Sequence, residues 1–220
     1  MANGAFNKRV QRRRGFKLDG DLLSAIVEMI PRGATVADWG CGNGPYVIGM
    51  RSFGLRAYGL DGSHSVPGLI EQLDFTEPIR MPIVQAAVTI ETGEHIPKES
   101  EEMFAENITR NTSRLLIASW AKKNQRGRNH INCKEPWEVV DLFQKFGWSL
   151  DLASTIEARI LSGTSGFDRK LLVMRRGGRL TKIGPSALRF LQDSLTAKQT
   201  GNYLRRSRRH LRRGLLTPEG

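Results

Sequence analysis

The chain has only two cysteines, Cys41 and Cys133, among its 220 residues. Two thiols are too few for a disulfide framework or a cysteine-based metal site, so a reducing, cytoplasmic compartment is predicted. No apolar run reaches about 18 residues, and therefore no membrane span is predicted. The first residues lack the apolar stretch of a secretory signal. They are arginine-rich and free of acids, which leaves an organelle transit segment as the alternative.

Acidic residues are scarce at both ends, where the net charge of +12 is concentrated. Residues 1–17 carry six Lys/Arg and no acid, and residues 177–220 carry ten Lys/Arg and two acids, whereas 18–176 hold eighteen basic and twenty acidic residues. This asymmetry predicts a central domain over 18–176 with a basic arm on each side of it. The arm over 177–220 is predicted to be a basic helix or tail. The arms favour a polyanionic partner such as RNA or DNA, with solvated tails as the alternative.

Helical and strand patterns alternate through 18–176, and no internal repeat is found. The patterns predict helices at 22–30, 46–53, 98–111 and 136–146, and strands at 35–39, 55–60, 83–90, 114–120, 148–160 and 169–175. Such alternation predicts an α/β fold with a mainly parallel, Rossmann-like sheet and helices on both faces. The two final strands follow each other directly, which predicts a hairpin edge and an antiparallel last strand.

The stretch VADWGCGNG places three glycines after a predicted strand. Gly40, Gly42 and Gly44 allow a sharp turn and close contact with a ligand, ahead of a helix whose first N–H groups are free. The G-x-G-x-x-G pattern of dinucleotide sites would need glycine where Pro45 stands. Asp38, at the strand end, would repel a pyrophosphate but could pair with an ammonium group.

Two further acids describe the rest of that ligand. Asp61 ends the second predicted strand and could accept two hydrogen bonds from a ribose diol. Asp74 could hold an exocyclic amine, with a base stacked beside it near Phe75. A ligand with an ammonium group, a ribose and an adenine but no phosphate fits S-adenosyl-L-methionine. An αβ turn without a ligand and a nicotinamide site are the alternatives.

The run VADWGCGNG, followed by LDG, resembles the cofactor motifs of class I S-adenosylmethionine-dependent methyltransferases. The resemblance covers about 18–176 and implies a seven-stranded sheet. It places Asp38 near the methionine amino group, Asp61 at the ribose, and Asp74 with Phe75 by the adenine. The predicted cofactor-binding residues are Asp38, Gly40, Cys41, Gly42, Gly44, Asp61, Gly62, Asp74, Phe75 and Glu91. We interpret Cys41 as a small side chain packed under the cofactor, with a cysteine nucleophile as the alternative.

The run ETGEHIP follows the strand predicted at 83–90. Glu91, Glu94 and His95 would then lie at the carboxyl end of the sheet, facing the sulfonium and the acceptor. A glutamate there could stabilise the cationic cofactor, and His95 could take a proton from an acceptor. The alternative is that Glu94 and His95 only cap the next helix.

The long connection SWAKKNQRGRNHINCKEP has the composition of a substrate loop. His130 and Asn132 would point the same way in an extended stretch, and basic residues including Arg126 and Arg128 suit an anionic acceptor. Alternatively, His130 only ties down the loop. The E-x-x-E-H-I-P and S-W-A…H-x-N runs resemble a poorly characterised methyltransferase subgroup.

These observations predict a methyltransferase with an O or N acceptor. The sequence contains neither the N-P-P-Y run of amino-methylating DNA enzymes nor an evident Lys-Asp-Lys-Glu set of ribose 2′-O-methyltransferases. The predicted catalytic residues are Glu94, His95 and His130, and the predicted substrate-binding residues are Asn132, Arg126 and Arg128. No metal is predicted because the spacing matches no known pattern, although these histidines with Glu91 or Glu94 could form a site as in metal-dependent O-methyltransferases. An assembly module of a ribonucleoprotein and a small-molecule or sugar methyltransferase are the alternative functions.

Overall fold

The computed structural model describes residues 18–125, 127–163 and 170–177. Within them the strands are β1 (Thr35–Trp39), β2 (Arg56–Asp61), β3 (Ile70–Gln72), β4 (Val84–Thr89), β5 (Thr112–Ala118), β6 (Trp148–Leu150) and β7 (Leu172–Arg176). The α-helices are α1 (Gly20–Met29), α2 (Pro45–Ser52), α3 (Glu101–Arg110), α4 (Pro136–Gln144) and α5 (Leu152–Leu161). None of these helices is both long and apolar enough to cross a membrane.

All seven strands belong to one sheet, in the order β3-β2-β1-β4-β5-β7-β6. Strand β7 runs antiparallel to β5 and to β6, and the other neighbours are parallel. The predicted α/β class, with a Rossmann-like, mostly parallel sheet and an antiparallel last strand, is confirmed. The chain order reverses at β1 and β4, and open α/β sheets bind ligands at the carboxyl ends of the strands at such a point.

Helices cover both faces of the sheet, which explains why four successive residues of β1 are buried. Helices α3 and α4 pack on one face, where Trp39, Phe104 and Trp148 are fully buried. Helices α1, α2 and α5 pack on the other, around residues such as Leu22 and Ile26. The sheet is therefore a rigid base for the loops at its carboxyl edge.

Helix α1 begins at Gly20, two residues before the predicted start, and Asp19 is its N-cap. The Asp19 carboxylate accepts hydrogen bonds from the N–H groups of Asp21 and Leu22, each at 3.0 Å. Buried residues then recur at helical spacing, at Leu22, Ala25 and Ile26. The cap satisfies two N–H groups that the first turn leaves without helical partners.

The segment predicted as one strand over 148–160 contains a short strand and a helix, so this prediction and the direct hairpin are wrong. Asp151 follows β6 and caps α5, because its carboxylate accepts a hydrogen bond from the N–H of Ser154 at 3.1 Å. The buried hydroxyl of Thr155 then pairs with the backbone of Val173. β-Branched residues suggested a strand, but the cap and the packing of α5 against α1 favour the helix.

Strand β3 has no counterpart in the sequence-based assignment. It has three residues, of which Ile70 alone is buried, and it lies at the edge beside β2. Three residues are too few to show an alternating pattern. Its presence nevertheless matters, because it carries the chain to Asp74 at the same edge of the sheet as Asp61.

Candidate active site

The loops after β1, β2, β4 and β5 meet at the carboxyl edge of the sheet. The hydroxyl of Thr92, just beyond β4, donates to the carbonyl of Trp39 at the end of β1, at 3.0 Å. Ser119, beyond β5, accepts a hydrogen bond at its hydroxyl from the N–H of Glu91, at 3.0 Å. The first bond holds the ETGEHIP run against the start of the predicted cofactor turn, and the second holds the run against the end of β5.

Each glycine of the turn has a conformation that side chains disfavour. The φ angles of Gly40, Gly42 and Gly44 are 84°, 56° and 79°. A Cβ at Gly40 would also lie 2.2 Å from the hydroxyl oxygen of Thr92. Gly44 then caps α2, which begins at Pro45. The three glycines are therefore required by backbone conformation and, at Gly40, by space.

Asp38 lies beneath this turn and is only 3% exposed. Its Oδ2 atom has no hydrogen-bond partner among the described residues. Burial and, to a smaller extent, the nearby charge of Asp61 together raise the pKa of its carboxyl group to about 7. A buried carboxylate without a partner is costly, and a cation bound beside it would lower that cost.

Asp61 closes the turn from the side of β2. Its Oδ2 accepts a hydrogen bond from the N–H of Gly42 at 2.9 Å, and its Oδ1 accepts from the N–H of Ser63 at 2.9 Å and from the Ser63 hydroxyl. His64 Nδ1 lies 3.8 Å from Oδ1. Gly62, beside it, is partly exposed, and its carbonyl accepts from Gln72. The carboxylate is thus largely buried beside the turn and has a fixed orientation.

Cys41 is buried within the turn, and its sulfur lies 2.7 Å from where a Cβ at Gly59 would stand. Burial raises the pKa of the thiol, and the charges of Asp38 and Asp61 raise it further. The thiolate that a nucleophile requires is therefore disfavoured. The environment supports the interpretation of Cys41 as a packing residue.

Asp74 and Phe75 follow β3 but differ in exposure. Phe75 is 2% exposed, and its ring centroid lies 5.5 Å from that of Trp39 and 5.6 Å from that of Phe104. The Asp74 carboxylate accepts hydrogen bonds from the N–H and hydroxyl of Thr76. The Phe75 ring thus lies in the core, away from the surface where a base would stack, and the adenine role of this segment stays a prediction.

Glu91 is held by a polar network that the sequence did not indicate. Its carboxylate accepts from the Ser119 hydroxyl at 2.9 Å, from Gln125 Nε2 at 3.1 Å and from Lys170 Nζ at 2.6 Å. Glu91 also has a positive φ of 51°, which is uncommon outside glycine. Lys170 is 79 residues away along the chain, so no local pattern could have paired it with Glu91.

Glu94, His95 and His130 lie together. His130 Nε2 is 4.0 Å from Glu94 Oε1, and the two imidazole ring centroids are 5.1 Å apart. The Glu94 carbonyl accepts from the N–H groups of Ile131 and Asn132, which fixes the loop beside the turn. Neither Glu94 nor His95 caps α3, whose N-cap is Ser100. We define these three residues as the Glu–His–His cluster.

The cluster contains a fully buried acid. Burial and, to a smaller extent, the charge of Glu91 raise the pKa of Glu94, whereas the backbone N–H groups of Glu94 and Ala121 and the charge of Lys170 lower it. The net result is a pKa of about 8. Burial also lowers the pKa of His95. The environment therefore favours a neutral acid and a neutral imidazole when nothing else is bound.

Asn132 does not share the direction of His130. Its side-chain N–H donates to the Glu101 carboxylate at 2.9 Å, and its backbone carbonyl accepts from the indole N–H of Trp120 at 2.5 Å. Arg128 is exposed, whereas Arg126 lies outside the described residues. The predicted basic arms, 1–17 and 177–220 beyond Gly177, also lie outside them. The substrate roles of these residues stay predictions.

The sequence matches no protein-family model and no curated protein. Solved structures do match it. One is magnesium protoporphyrin IX methyltransferase from Synechocystis PCC 6803 with bound SAH, at 16% identity and a TM-score of 0.55, covering 76% of this chain and 93% of that chain. Another is a TehB-like SAM-dependent methyltransferase from Corynebacterium glutamicum, at 16% identity and a TM-score of 0.53, covering 76% and 92%.

A third similar structure is the 1,6-didemethyltoxoflavin-N1-methyltransferase of Burkholderia thailandensis, solved with 1,6-didemethyltoxoflavin and S-adenosylhomocysteine. It is 17% identical, with a TM-score of 0.53, covering 76% of this chain and 83% of that chain. Similarity at this level of identity establishes the architecture, and the substrates named for two of these enzymes, magnesium protoporphyrin IX and 1,6-didemethyltoxoflavin, differ from each other. The chain therefore has the fold of the class I S-adenosylmethionine-dependent methyltransferases.

Proposed function

We propose that the protein is an S-adenosylmethionine-dependent methyltransferase that acts on an O or N acceptor. The observation that carries the proposal is Asp38, a buried carboxylate with an unpartnered oxygen beneath a turn of three left-handed glycines. An ordinary structural turn has no need for this acid. A cationic ligand that touches the glycines supplies the missing partner.

The residues present fit such a cofactor. Asp38 would bind its ammonium group, and the Asp61 carboxylate, with Gly62 beside it, would accept hydrogen bonds from the ribose hydroxyls. The backbone at Gly40, Cys41, Gly42 and Gly44 would approach the ligand closely, and the segment of Asp74 and Phe75 would border the adenine. S-adenosylmethionine, when bound, supplies an electrophilic methyl group on a sulfonium.

The acceptor side of the site would be formed by the ETGEHIP run and the loop after β5. Glu91 contributes negative charge toward a sulfonium, and Lys170 fixes its orientation at 2.6 Å. Glu94, His95 and His130 would face the acceptor, with Asn132, Arg126 and Arg128 on the same loop. The main contributions of the protein would be alignment of the two reactants and exclusion of water.

Calorimetric titration of the full chain with S-adenosylmethionine tests the proposal. Asp38→Asn and Asp61→Ala are expected to weaken binding at least about a hundredfold, since each removes a buried or clamped charge from the ligand. Asp141→Asn is the matched control, because Asp141 is exposed on α4. Absence of binding by the intact protein, or equal binding by all variants, would contradict the proposal and favour an assembly module.

We also propose that the basic ends recruit a nucleic acid. The charges of 1–17 and 177–220 are +6 and +8, against −2 for 18–176. Binding of a single-stranded RNA should weaken steeply with added salt, because phosphate contacts release counterions. Deletion of both ends should remove that salt dependence. A methyl-transfer assay with labelled cofactor across RNA, DNA, protein and metabolite pools would identify the acceptor.

A further inference from the structure

The Glu–His–His cluster has the composition and proximity of a metal site. One ligand atom each from Glu94, His95 and His130 can be chosen so that all lie within 4.8 Å of one another. The first two residues belong to one short turn after β4, and the third comes from the loop after β5. The tertiary fold thus joins donors that are more than thirty residues apart in the sequence.

Glu94 is the observation that points to a ligand. Its side chain is 0% exposed, and neither carboxylate oxygen has a hydrogen-bond partner among the described residues. A buried carboxyl group without a hydrogen-bond partner destabilises the folded chain. A bound cation would compensate for that loss.

Both histidines have an orientation suited to a ligand. His95 Nδ1 lies 2.9 Å from the carbonyl oxygen of Asn129, and His130 Nδ1 lies 3.2 Å from that of Gln125. A carbonyl oxygen only accepts, so each Nδ1 carries the proton and each Nε2 has the lone pair. Metal-binding histidines typically donate their other N–H in this way, which fixes the tautomer and the ring.

We propose that Glu94, His95 and His130 bind one divalent first-row transition-metal ion. Ligand atoms about 2.1 Å from such an ion stand roughly 3 to 3.5 Å apart. The 4.0 Å between His130 Nε2 and Glu94 Oε1 therefore has to shorten by about 0.5 to 1 Å, and no two of the three ligand atoms lie more than 4.8 Å apart. Two imidazoles with one carboxylate favour ions such as Zn²⁺ over Mg²⁺, which prefers oxygen ligands.

Three protein ligands leave at least one coordination position for water or for another oxygen ligand. The cluster lies two residues beyond Thr92, which packs against Gly40 of the cofactor turn. A role of the ion in holding an acceptor therefore rests on the proposed function. The metal site itself does not, because it can be measured without any cofactor.

The test uses the full chain after treatment with a chelator. Titration with ZnCl₂ by calorimetry should give one ion per chain, and Co²⁺ should give visible absorption bands of a bound ion. His95→Ala, His130→Ala and Glu94→Gln should each weaken binding at least about tenfold, because each removes a ligand. Mg²⁺ should bind more weakly than Zn²⁺.

Two control variants address the other metal-binding side chains. Cys133→Ser removes the partly buried thiol, whose pKa is raised by burial and by the nearby charges of Glu94 and Glu91. His64→Ala removes a histidine outside the cluster. Both should keep one ion per chain. Circular dichroism verifies folding, and Glu94→Gln preserves the size of the side chain. Absence of saturable Zn²⁺ binding, unchanged binding in the three cluster variants, or loss of binding in Cys133→Ser would overturn the proposal.

Discussion

Replacement of Asp38 by asparagine should change how stability depends on pH. The Asp38 carboxyl group is 3% exposed, and burial, with the help of Asp61, raises its pKa from 3.8 to about 7. The native protein thus binds this proton more tightly than the unfolded chain does. The stability linked to it is complete below about pH 3.8 and is lost as the pH rises through 7.

The size of the effect follows from the two pKa values. At pH 5 the unfolded carboxyl group is largely ionised and the native one is not, and by pH 8 both are ionised. Integration of the linkage relation from pH 5 to pH 8 shows that the titration of this group lowers the free energy of unfolding by about 2 to 3 kcal/mol as the pH rises. Asparagine does not titrate, so the wild-type stability relative to Asp38→Asn should fall by that amount between pH 5 and pH 8.

Urea unfolding of the full chain at both pH values measures this difference, because titrations common to both proteins cancel. Asp141→Asn, at an exposed position, should show a difference from wild type that is the same at both pH values within about 0.5 kcal/mol. If the free energy of unfolding of Asp38→Asn differed from that of the wild type by the same amount at both pH values, the conclusion that the Asp38 carboxyl group is buried without a partner would be refuted.

The same carboxyl group should make cofactor binding depend on pH. An ammonium group binds the ionised form, so a proton must leave when binding occurs below pH 7. The affinity for S-adenosylmethionine should therefore rise about tenfold from pH 5.5 to pH 7 in the wild type, and it should not rise in Asp38→Asn. A pH-independent affinity in the wild type would contradict the pairing.

Three further substitutions test the supports of the site. Asn107→Ala removes three hydrogen bonds to the backbone of 75–79, and should lower the free energy of unfolding in urea by about 2 to 4 kcal/mol. Gly40→Ala should lower thermal stability and abolish cofactor binding in calorimetry, because φ is 84° and the new Cβ would lie 2.2 Å from Thr92. Adding Thr92→Ala to this variant removes the collision but not the positive φ, so it should restore only part of the stability. Gly127→Ala should weaken Zn²⁺ binding without unfolding the chain, because the new Cβ would lie 2.1 Å from His130 Nε2 and the imidazole must move. Unchanged Zn²⁺ binding would contradict the role of His130 as a ligand.

Sequence patterns predicted most of the sheet and its cofactor edge. Strands β1, β2, β4 and β5 are five to seven residues long and mostly buried, which is enough to show their type. The glycines and Asp38 are adjacent along the chain, so their arrangement follows from one turn. The segment after Trp148 was assigned wrongly because β-branched residues occur in both strands and helices, and tertiary packing decided between them.

The sequence by itself determined the fold class, the glycine turn and the acids around it, because those features depend on residues close together along the chain. It also placed Glu94 and His95 at the sheet edge. Only the tertiary structure decided that Glu91 pairs with Lys170, that Phe75 lies in the core and that His130 joins Glu94. The residues in these contacts are 29 to 79 positions apart in the sequence, and the packing of separate elements brings them together.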